Sequence, residues 1–276
     1  MLLLPRTILL LVVSIFVSVG AQSPQPSIPV LPYGEDPEQI MDIYLPSSET
    51  ERVTKIAILV HGGAWGRGNR TEMEEFIPFL QRDFPNICIA NMEYRLGTHD
   101  NPGFPKQLDD IGLAISYLIG TFTQNVTFVL MGGSAGAHLS MLYGYGWDRI
   151  EENIKAIVNI VGPVDLNDPS YSQNPLYSEL FYDLVGPCAY SECPDLHNAS
   201  SPVIYVTQNS TKTIGFYGSL DFLVPSTQMP IIRDKLDEFG VTNKFFVYEG
   251  GHHWNWSDED REDMRVQITE FLNAHW

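Results

Sequence analysis

Residues 126–146 read VTFVLMGGSAGAHLSMLYGYG, and this stretch decides the fold. Its first half is apolar and rich in β-branched and aromatic residues, which is typical of a buried parallel strand. The next five residues fit the pattern G-x-S-x-G with Ser134 at the centre. A serine in a strained turn between a strand and a helix needs small neighbours on both sides. The N-terminus of the following helix favours developing negative charge, so the stretch predicts a nucleophilic Ser134.

A glycine-rich turn with an incidental serine is the simpler interpretation of this pattern. The nucleophile hypothesis therefore needs three further parts: a base that accepts the serine proton, an acid that orients the base, and donors that bind an oxyanion.

The remaining sequence alternates between strand-like and helix-like segments. This alternation predicts an α/β fold with a mostly parallel central sheet and helices on both faces. Residues 22–276 are interpreted as one domain that begins with a proline-rich extended arm, residues 22–33. Irregular residues 165–212 are interpreted as a small cap or a long active-site loop. Strands are predicted at 40–45, 54–60, 86–92, 126–131, 154–161, 213–218 and 243–249, and helices at 71–82 with Thr71 as N-cap, 105–120, 227–239 and 258–274.

Candidate acid and base residues follow the last two predicted strands. His252 is the predicted base, in the turn GGHHW, and its neighbour His253 is the competitor because adjacent side chains point in different directions. Asp221 in GSLDFLVP is the predicted acid, with Asp195 and Glu249 as weaker rivals. The chain order Ser134, Asp221, His252 is a known serine–acid–histidine order.

The segment His61-Gly62-Gly63-Ala64-Trp65 follows another predicted strand. Backbone N–H groups reach a substrate only where side chains are small, so Gly63 and Ala64 are the predicted oxyanion donors, with Ala135 as the third. Gly62 could replace one of them, and Trp65 either lines the pocket or packs. A packing or hydrogen-bonding role is predicted for His138. Arg95, with Asp109 and Asp110, suggests a structural ion pair or a helix-cap arrangement.

Residues 1–21 have the composition of a signal peptide. Arg6 supplies the positive region, residues 7–19 are apolar, and residues 19–21 resemble a small-residue cleavage site. An uncleaved anchor is the weaker alternative. The sequence therefore predicts a secreted or luminal protein without a stable membrane span after signal removal. Five N-x-S/T sequons agree with a glycoprotein, at Asn69, Asn125, Asn198, Asn209 and Asn255.

The three cysteines predict one disulfide and no metal site, and the net charge argues against two classes of binding partner. Cys188 and Cys193 lie five positions apart in a loop-like stretch, and an oxidising compartment makes them a candidate disulfide. Cys88 is predicted to be a buried free thiol. His197 near Cys193 is too little for a zinc site, so no metal is expected. The net charge of −18, or −19 without Arg6, opposes binding to nucleic acids and to anionic membranes.

Taken together in this order, IMDIYLP, HGGAW, EYRL, GGSAGAH, GSLDFLVP and GGHHW resemble the HGG-type esterase and lipase branch of the α/β-hydrolase superfamily. The relatives include carboxylesterases, kynurenine formamidase-like enzymes and prenylcysteine methylesterase-like enzymes. The resemblance begins near Ile40 and implies the same triad and oxyanion donors. Ala64 departs from the third glycine of many members, and because the region before HGGAW is short after signal removal, no large N-terminal cap is expected.

The sequence predicts a secreted serine hydrolase that cleaves a small carboxylic ester without a cofactor. The alternatives are arylformamidase or peptidase chemistry on the same triad, or a non-catalytic extracellular binding module. The sequence does not predict the acyl group, the leaving group or the oligomeric state.

Overall fold

The computed structural model of the protein describes residues 24–46, 53–122, 125–148, 153–173, 177, 179–253 and 255–276. The predicted signal peptide lies outside these residues.

The centre of the fold is an eight-stranded sheet in the order β1-β2-β4-β3-β5-β6-β7-β8. Strand β2 runs antiparallel to β1 and β4, and every other neighbouring pair is parallel. The strands are β1 Ile28–Pro32, β2 Ile40–Tyr44, β3 Lys55–Val60, β4 Cys88–Met92, β5 Thr127–Gly133, β6 Ile154–Ile160, β7 Lys212–Gly218 and β8 Asn243–Tyr248. The predicted mostly parallel sheet is confirmed.

Helices connect the parallel strands. The α-helices are α1 Ile77–Asp83, α2 Lys106–Thr121, α3 Ala135–Leu142, α4 Pro169–Ser172, α5 Tyr182–Val185, α6 Pro194–Ala199, α7 Gln228–Glu238 and α8 Asp258–His275. Short 3₁₀ segments lie at Arg70–Phe76, Glu179–Phe181 and Pro202–Tyr205, and a π-helical turn at Tyr143–Trp147 extends α3. None of the helices in the described ranges is both long and apolar enough to cross a lipid bilayer.

The sheet has a hydrophobic core on each face, as its strand composition requires. Alternate residues of β3 enter different cores: Ile56 and Ile58 face one, and Ala57 and Leu59 face the other. The first core contains buried residues of α2, α3 and α7, and the second contains those of α1 and α8. The sheet is therefore covered on both sides and exposes its functional loops at the carboxyl ends of the parallel strands.

In the N-terminal part the structure adds one strand that the sequence did not predict and corrects one predicted helix. The arm at residues 22–33 contains β1, an edge strand of the sheet, where its prolines are tolerated because an edge strand leaves N–H groups unpaired. The predicted helix 71–82 is a 3₁₀ segment followed by α1, and its N-cap is Asn69, not Thr71. Asn69 Oδ1 accepts hydrogen bonds from the backbone N–H of Thr71 at 3.0 Å and from its hydroxyl at 2.5 Å.

Candidate active site

Ser134 lies at the corner between β5 and α3. Its backbone has φ 51° and ψ −119°, a sparsely populated conformation for a residue with a side chain. The corner is fixed from both sides, because Ser134 N–H donates to the Ile160 carbonyl at 2.8 Å and the Ser134 carbonyl accepts from His138 N–H at 3.0 Å. Ser134 is half-buried at the carboxyl end of β5. The strained turn expected for a nucleophilic serine is present.

Two glycines of the motif allow this turn to form. A Cβ atom on Gly132 would lie 2.3 Å from the carbonyl carbon of Gly136. A Cβ atom on Gly136 would lie 2.0 Å from the carbonyl oxygen of Val60 in β3. Both distances are far below van der Waals contact, so the start of α3 reaches the sheet only because these positions have no side chain.

Asp221 is the acid next to the site, and it is held rigidly after β7. Its side chain is buried, and its Oδ1 accepts hydrogen bonds from the backbone N–H groups of Leu223 at 2.8 Å and Val224 at 3.0 Å. Its Oδ2 lies 2.9 Å from Nδ1 of His253. The carboxylate thus has one oxygen committed to its own loop and one to an imidazole.

The imidazole beside Asp221 is that of His253, which corrects the prediction that His252 takes this position. After β8 the chain turns at Gly250, with φ 74°, and His253 itself takes a left-handed conformation with φ 45°. This backbone turns the His253 ring toward Asp221. The His252 ring instead packs against the edge of Phe222, with the ring centroids 4.1 Å apart. The two adjacent side chains point in different directions, as expected, but the partner of Asp221 is the second one.

The two rival acids lie elsewhere. Asp195 is exposed in the first turn of α6. Glu249 is exposed, and its Oε2 accepts a hydrogen bond from Ser219 Oγ at 3.1 Å. Neither carboxylate takes the place of Asp221 beside the histidine.

The loop after β3 brings the HGGAW segment beside Ser134. A Cβ atom on Gly62 would lie 3.4 Å from Cβ of Ser134 and 3.1 Å from the Gly133 carbonyl oxygen. Gly63 has φ 105° and Ala64 has φ 47°, so both predicted donors lie in a left-handed turn. The carbonyls of these two residues accept from Arg67 and Gly66 N–H, at 3.0 Å and 2.8 Å. No group in the described ranges accepts a hydrogen bond from the N–H of Gly63 or Ala64, so both donors are available to a ligand. The third predicted donor, Ala135, is the first residue of α3, directly after Ser134.

His61, Tyr94 and Glu93 support this loop through ring stacking and polar contacts. The His61 ring is buried and stacks on Tyr94 with ring centroids 4.2 Å apart, and its Nε2 lies 3.2 Å from Oε2 of Glu93. Tyr94 hydroxyl donates to the His61 and Gly62 carbonyls at 3.0 Å and 3.2 Å. Burial would raise the pKa of Glu93, but His61 and Arg70 outweigh this effect and lower it. The EYRL motif in the sequence does not by itself predict this support.

The remaining polar motif residues have structural roles. Arg95 forms an ion pair with the fully buried Asp110 at 2.6 Å, and Gln39 Nε2 donates to the same carboxylate at 2.7 Å. This is the ion pair that the sequence suggested, with Asp110 rather than Asp109 as the partner. Trp65 and His138 are both buried and contact each other, so Trp65 packs beneath the loop.

The irregular segment contributes α4, α5, α6 and two 3₁₀ segments beside the site; its last predicted residue, Lys212, begins β7. A disulfide joins Cys188 and Cys193, while Cys88 is a free buried thiol. The hydroxyl of Tyr177 donates to the carbonyl of Phe222, which links this segment to the acid loop. Leu220 and Phe222 flank Asp221 and are 65% and 53% exposed, so apolar surface borders the site.

The five sequon asparagines belong to the described residues, and all five are exposed: Asn69, Asn125, Asn198, Asn209 and Asn255. Their occupancy stays a prediction. The described residues contain no group of His, Cys, Asp and Glu side chains arranged to hold a metal ion.

The chain is similar to known esterases in sequence and in fold. The chain is 25% identical over 218 residues to Esterase LipC of Mycobacterium tuberculosis, an alignment that covers 74% of this chain and 53% of LipC. It is 24% identical over 240 residues to the isoprenylcysteine alpha-carbonyl methylesterase ICME of Arabidopsis thaliana, covering 80% of this chain and 55% of that protein. The chain thus spans about half the length of these curated relatives.

Among solved structures, a truncated carbohydrate esterase from gut microbiota has the same fold. It superimposes with a TM-score of 0.75 at 21% identity, covering 92% of this chain and 98% of that structure. The sequence profile of the BD-FAE family matches residues 41–236, which include Ser134, Asp221 and the HGGAW loop. This match extends over more than half of the chain, and the chain therefore belongs to the BD-FAE family of α/β-hydrolase esterases and lipases.

Proposed function

We propose that this protein is a serine hydrolase that cleaves carboxylic esters through an acyl-enzyme. The observation that carries the proposal is the Asp221–His253 contact at 2.9 Å. It lies at the carboxyl ends of the parallel strands, where the strained Ser134 and the glycine-rich loop are also found. An acid-oriented histidine, an elbow serine and open N–H donors are the parts that acyl transfer needs. The esterase relatives support the same chemistry.

In the first half-reaction, Ser134 Oγ attacks the ester carbonyl carbon while His253 accepts the serine proton. With Nδ1 turned to Asp221, Nε2 is the nitrogen that takes the proton. The negative charge on the carbonyl oxygen is stabilised by the N–H groups of Gly63, Ala64 and Ala135. The ester C–O bond then breaks, and His253 gives the proton to the leaving alkoxide, which departs as an alcohol.

In the second half-reaction, water attacks the acyl-enzyme. His253 accepts a proton from the water, the acyl–Oγ bond breaks, and the proton returns to Ser134. The products are a carboxylic acid and the original enzyme. Asp221 stabilises the imidazolium that forms in both halves and keeps its own charge throughout.

Labelling with a serine-directed fluorophosphonate tests this proposal. The wild-type protein should be labelled and should hydrolyse a short-chain p-nitrophenyl ester, and Ser134→Ala should lose both properties. Ser140→Ala is the matched control, because Ser140 lies on the same helix but is buried and donates to the Gly136 carbonyl at 2.7 Å. Labelling and turnover that survive in Ser134→Ala would sink the serine mechanism.

The same assay, extended to other substrates, decides between the alternatives. A panel of esters, aryl formamides and peptides should give the largest kcat/KM with esters. Faster turnover of an aryl formamide would identify the protein as an arylformamidase, and faster turnover of a peptide would identify it as a peptidase. A wild-type protein that is neither labelled nor active would be the non-catalytic binding module.

We also propose that the protein is secreted and glycosylated. The signal-like residues 1–21 and the exposed position of all five sequon asparagines support this proposal. Expression in a eukaryotic cell should yield protein in the medium whose mobility increases after treatment with an amidase that removes N-glycans. Retention inside the cell with unchanged mobility would contradict the proposal.

A further inference from the structure

Trp65 is the residue that closes the glycine-rich loop, and it is fixed at both its side chain and its backbone. Its indole Nε1–H donates to Nδ1 of His138 at 3.1 Å, and the two rings meet edge to face with centroids 5.1 Å apart. Its carbonyl accepts from Gly97 N–H at 2.8 Å and from Gln107 Nε2 at 2.7 Å. Trp65 therefore anchors the loop to α3 and α2 at once.

The anchoring matters because the loop backbone is strained. Ala64 and Trp65 have φ values of 47° and 63°, so two consecutive residues with side chains occupy the left-handed region. Such a conformation is disfavoured and persists only where the surrounding structure determines it. Without its fixed contacts, the loop would relax toward ordinary backbone angles and the N–H groups of Gly63 and Ala64 would turn away from Ser134.

His138 is suited to hold Trp65 because both of its ring nitrogens are committed. Its Nε2 lies 2.8 Å from the carbonyl oxygen of Ser200, which can only accept, so Nε2 carries the hydrogen. Nδ1 then has a free lone pair, which accepts the indole N–H. Burial lowers the pKa of His138 to about 4, against the opposing effect of the Ser200 hydrogen bond, and the ring stays neutral.

We propose that His138 is a positioning residue for catalysis: it accepts the Trp65 indole N–H and thereby keeps the oxyanion donors aimed at the Ser134 side of the site. This inference rests on the proposed serine-hydrolase function. It gives His138 and Trp65, two motif residues outside the triad, a shared role. His138 touches no substrate and acts only through Trp65.

The irregular segment takes part in this arrangement. Ser200 follows α6, and its hydroxyl and that of Ser201 both donate to the His197 carbonyl, at 3.2 Å and 2.8 Å. This end of α6 presents the Ser200 carbonyl to His138 and so selects the tautomer that can bind Trp65. Phe181 of the same segment also packs against the Trp65 ring, with centroids 5.7 Å apart.

Trp65→Phe is the first test, since it removes the indole N–H and keeps an aromatic ring. We expect kcat for a p-nitrophenyl ester to fall about tenfold while KM changes less than about twofold. Loss of this buried hydrogen bond should weaken the stabilisation of the transition state by the oxyanion donors and leave substrate binding almost unchanged. The affinity for a trifluoromethyl ketone, whose adduct with serine carries an oxyanion, should fall by a similar factor. Hydrogen exchange of the amides at residues 62–68 should become faster.

His138 variants provide the second test. The Oδ1 of an asparagine can occupy the position of the histidine Nδ1 and accept from Trp65, whereas leucine has no acceptor. His138→Asn should therefore recover most of the kcat and amide protection that His138→Leu loses. Tyr145→Phe is the matched control, because it deletes a partly buried hydrogen bond between the Tyr145 hydroxyl and Thr213 Oγ1 at 2.7 Å. This control should leave kcat, inhibitor affinity and exchange at residues 62–68 unchanged.

The readouts separate this inference from the proposed function. If wild-type protein neither turns over esters nor binds the ketone, the hydrolase proposal fails, and amide exchange alone still decides whether His138 and Trp65 hold the loop. If wild-type protein is active but Trp65→Phe and His138→Leu keep its kcat, ketone affinity and exchange rates, the positioning role is wrong. A fall in thermal stability with those three quantities unchanged would likewise overturn it, since that result describes packing alone.

Discussion

His253 Nδ1 lies 2.9 Å from Asp221 Oδ2, while the adjacent His252 packs its ring against Phe222. The left-handed backbone at His253, with φ 45°, produces this choice between neighbours. The contact orients one imidazole toward the acid and leaves the other at the apolar border of the site.

Replacing the two histidines one at a time separates their roles. His253→Ala should lower kcat for a p-nitrophenyl ester by at least about 10³-fold, because the serine loses its proton acceptor. His252→Ala should change kcat less than about fivefold, because it removes only a ring contact. Steady-state kinetics on both variants, with near-UV circular dichroism to verify folding, measures the difference. Equal losses in the two variants would contradict the assignment of His253.

Asp221→Asn should disable the triad without disturbing the acid loop. The amide oxygen can replace Oδ1, which accepts from Leu223 and Val224 N–H at 2.8 Å and 3.0 Å. The amide NH₂ then donates to His253 Nδ1, which favours the tautomer with its hydrogen on Nε2. In that tautomer Nε2 cannot accept the serine proton. We expect kcat to fall about 10³- to 10⁴-fold at a melting temperature close to that of the wild type.

The alternative replacement, Asp221→Ala, provides the comparison. It removes both the loop acceptor and the imidazole partner, so it should lower kcat and also the melting temperature. Full activity in Asp221→Asn would show that the carboxylate does not orient the base. A melting temperature as low as that of Asp221→Ala would show that the amide does not preserve the loop.

The motifs predicted the sheet, the strained turn at Ser134 and the place of Asp221 beside a histidine, because each depends on local sequence. Glycines 132 and 136 mark a close approach that only a residue without Cβ allows, and apolar runs mark strands buried on both faces. The choice between His252 and His253 depends on one backbone angle in a turn with two glycines, and residue types do not determine that angle. The choice follows only from the folded structure, in which the loop after β7 brings Asp221 next to the turn after β8.

Two other features were unpredictable for a similar reason. Strand β1 forms because β2 offers it a pairing edge, and a proline-rich sequence contains no strong strand signal of its own. The Trp65–His138 contact joins residues 73 positions apart: Trp65 lies in the loop after β3, and His138 lies in α3. Sequence reasoning recognised both as motif residues, but their hydrogen bond follows from the way the helix crosses the sheet.

The neutral, buried His138 makes stability depend on pH. Its pKa in the folded state is about 4, compared with 6.5 in a solvated chain. The unfolded chain therefore binds a proton as pH falls through 6.5, while the folded chain resists until about pH 4. The stabilisation is complete above pH 6.5 and is lost progressively between pH 6.5 and 4, by up to about 3 kcal/mol.

Urea unfolding of wild type and His138→Asn at pH 7 and pH 4.5 measures this contribution. Other groups titrate in both proteins, so only the difference between their pH slopes reports on His138. We expect the free energy of unfolding to fall more steeply with acid in the wild type. Parallel slopes would show that the folded state does not keep His138 neutral.

Gly136 is the position at which the elbow should be most sensitive to a single methyl group. Its added Cβ would lie 2.0 Å from the Val60 carbonyl oxygen and 2.4 Å from that of His61, and both acceptors are backbone atoms that cannot move aside cheaply. Gly136→Ala should therefore push α3 off β3, with a loss of several kcal/mol in stability or of soluble protein. Fluorophosphonate labelling of any folded fraction should fall as well, because Ser134 moves with the helix.

Gly120→Ala is the matched control for this prediction. Gly120 lies in α2, and nothing described lies within 4 Å of an added Cβ there. The same substitution should raise stability by up to about 1 kcal/mol, because alanine favours helix and restricts the unfolded chain. Urea unfolding curves of both variants give the comparison. If Gly136→Ala were as stable and as readily labelled as Gly120→Ala, close packing of the elbow against β3 would not be what holds Ser134 in place.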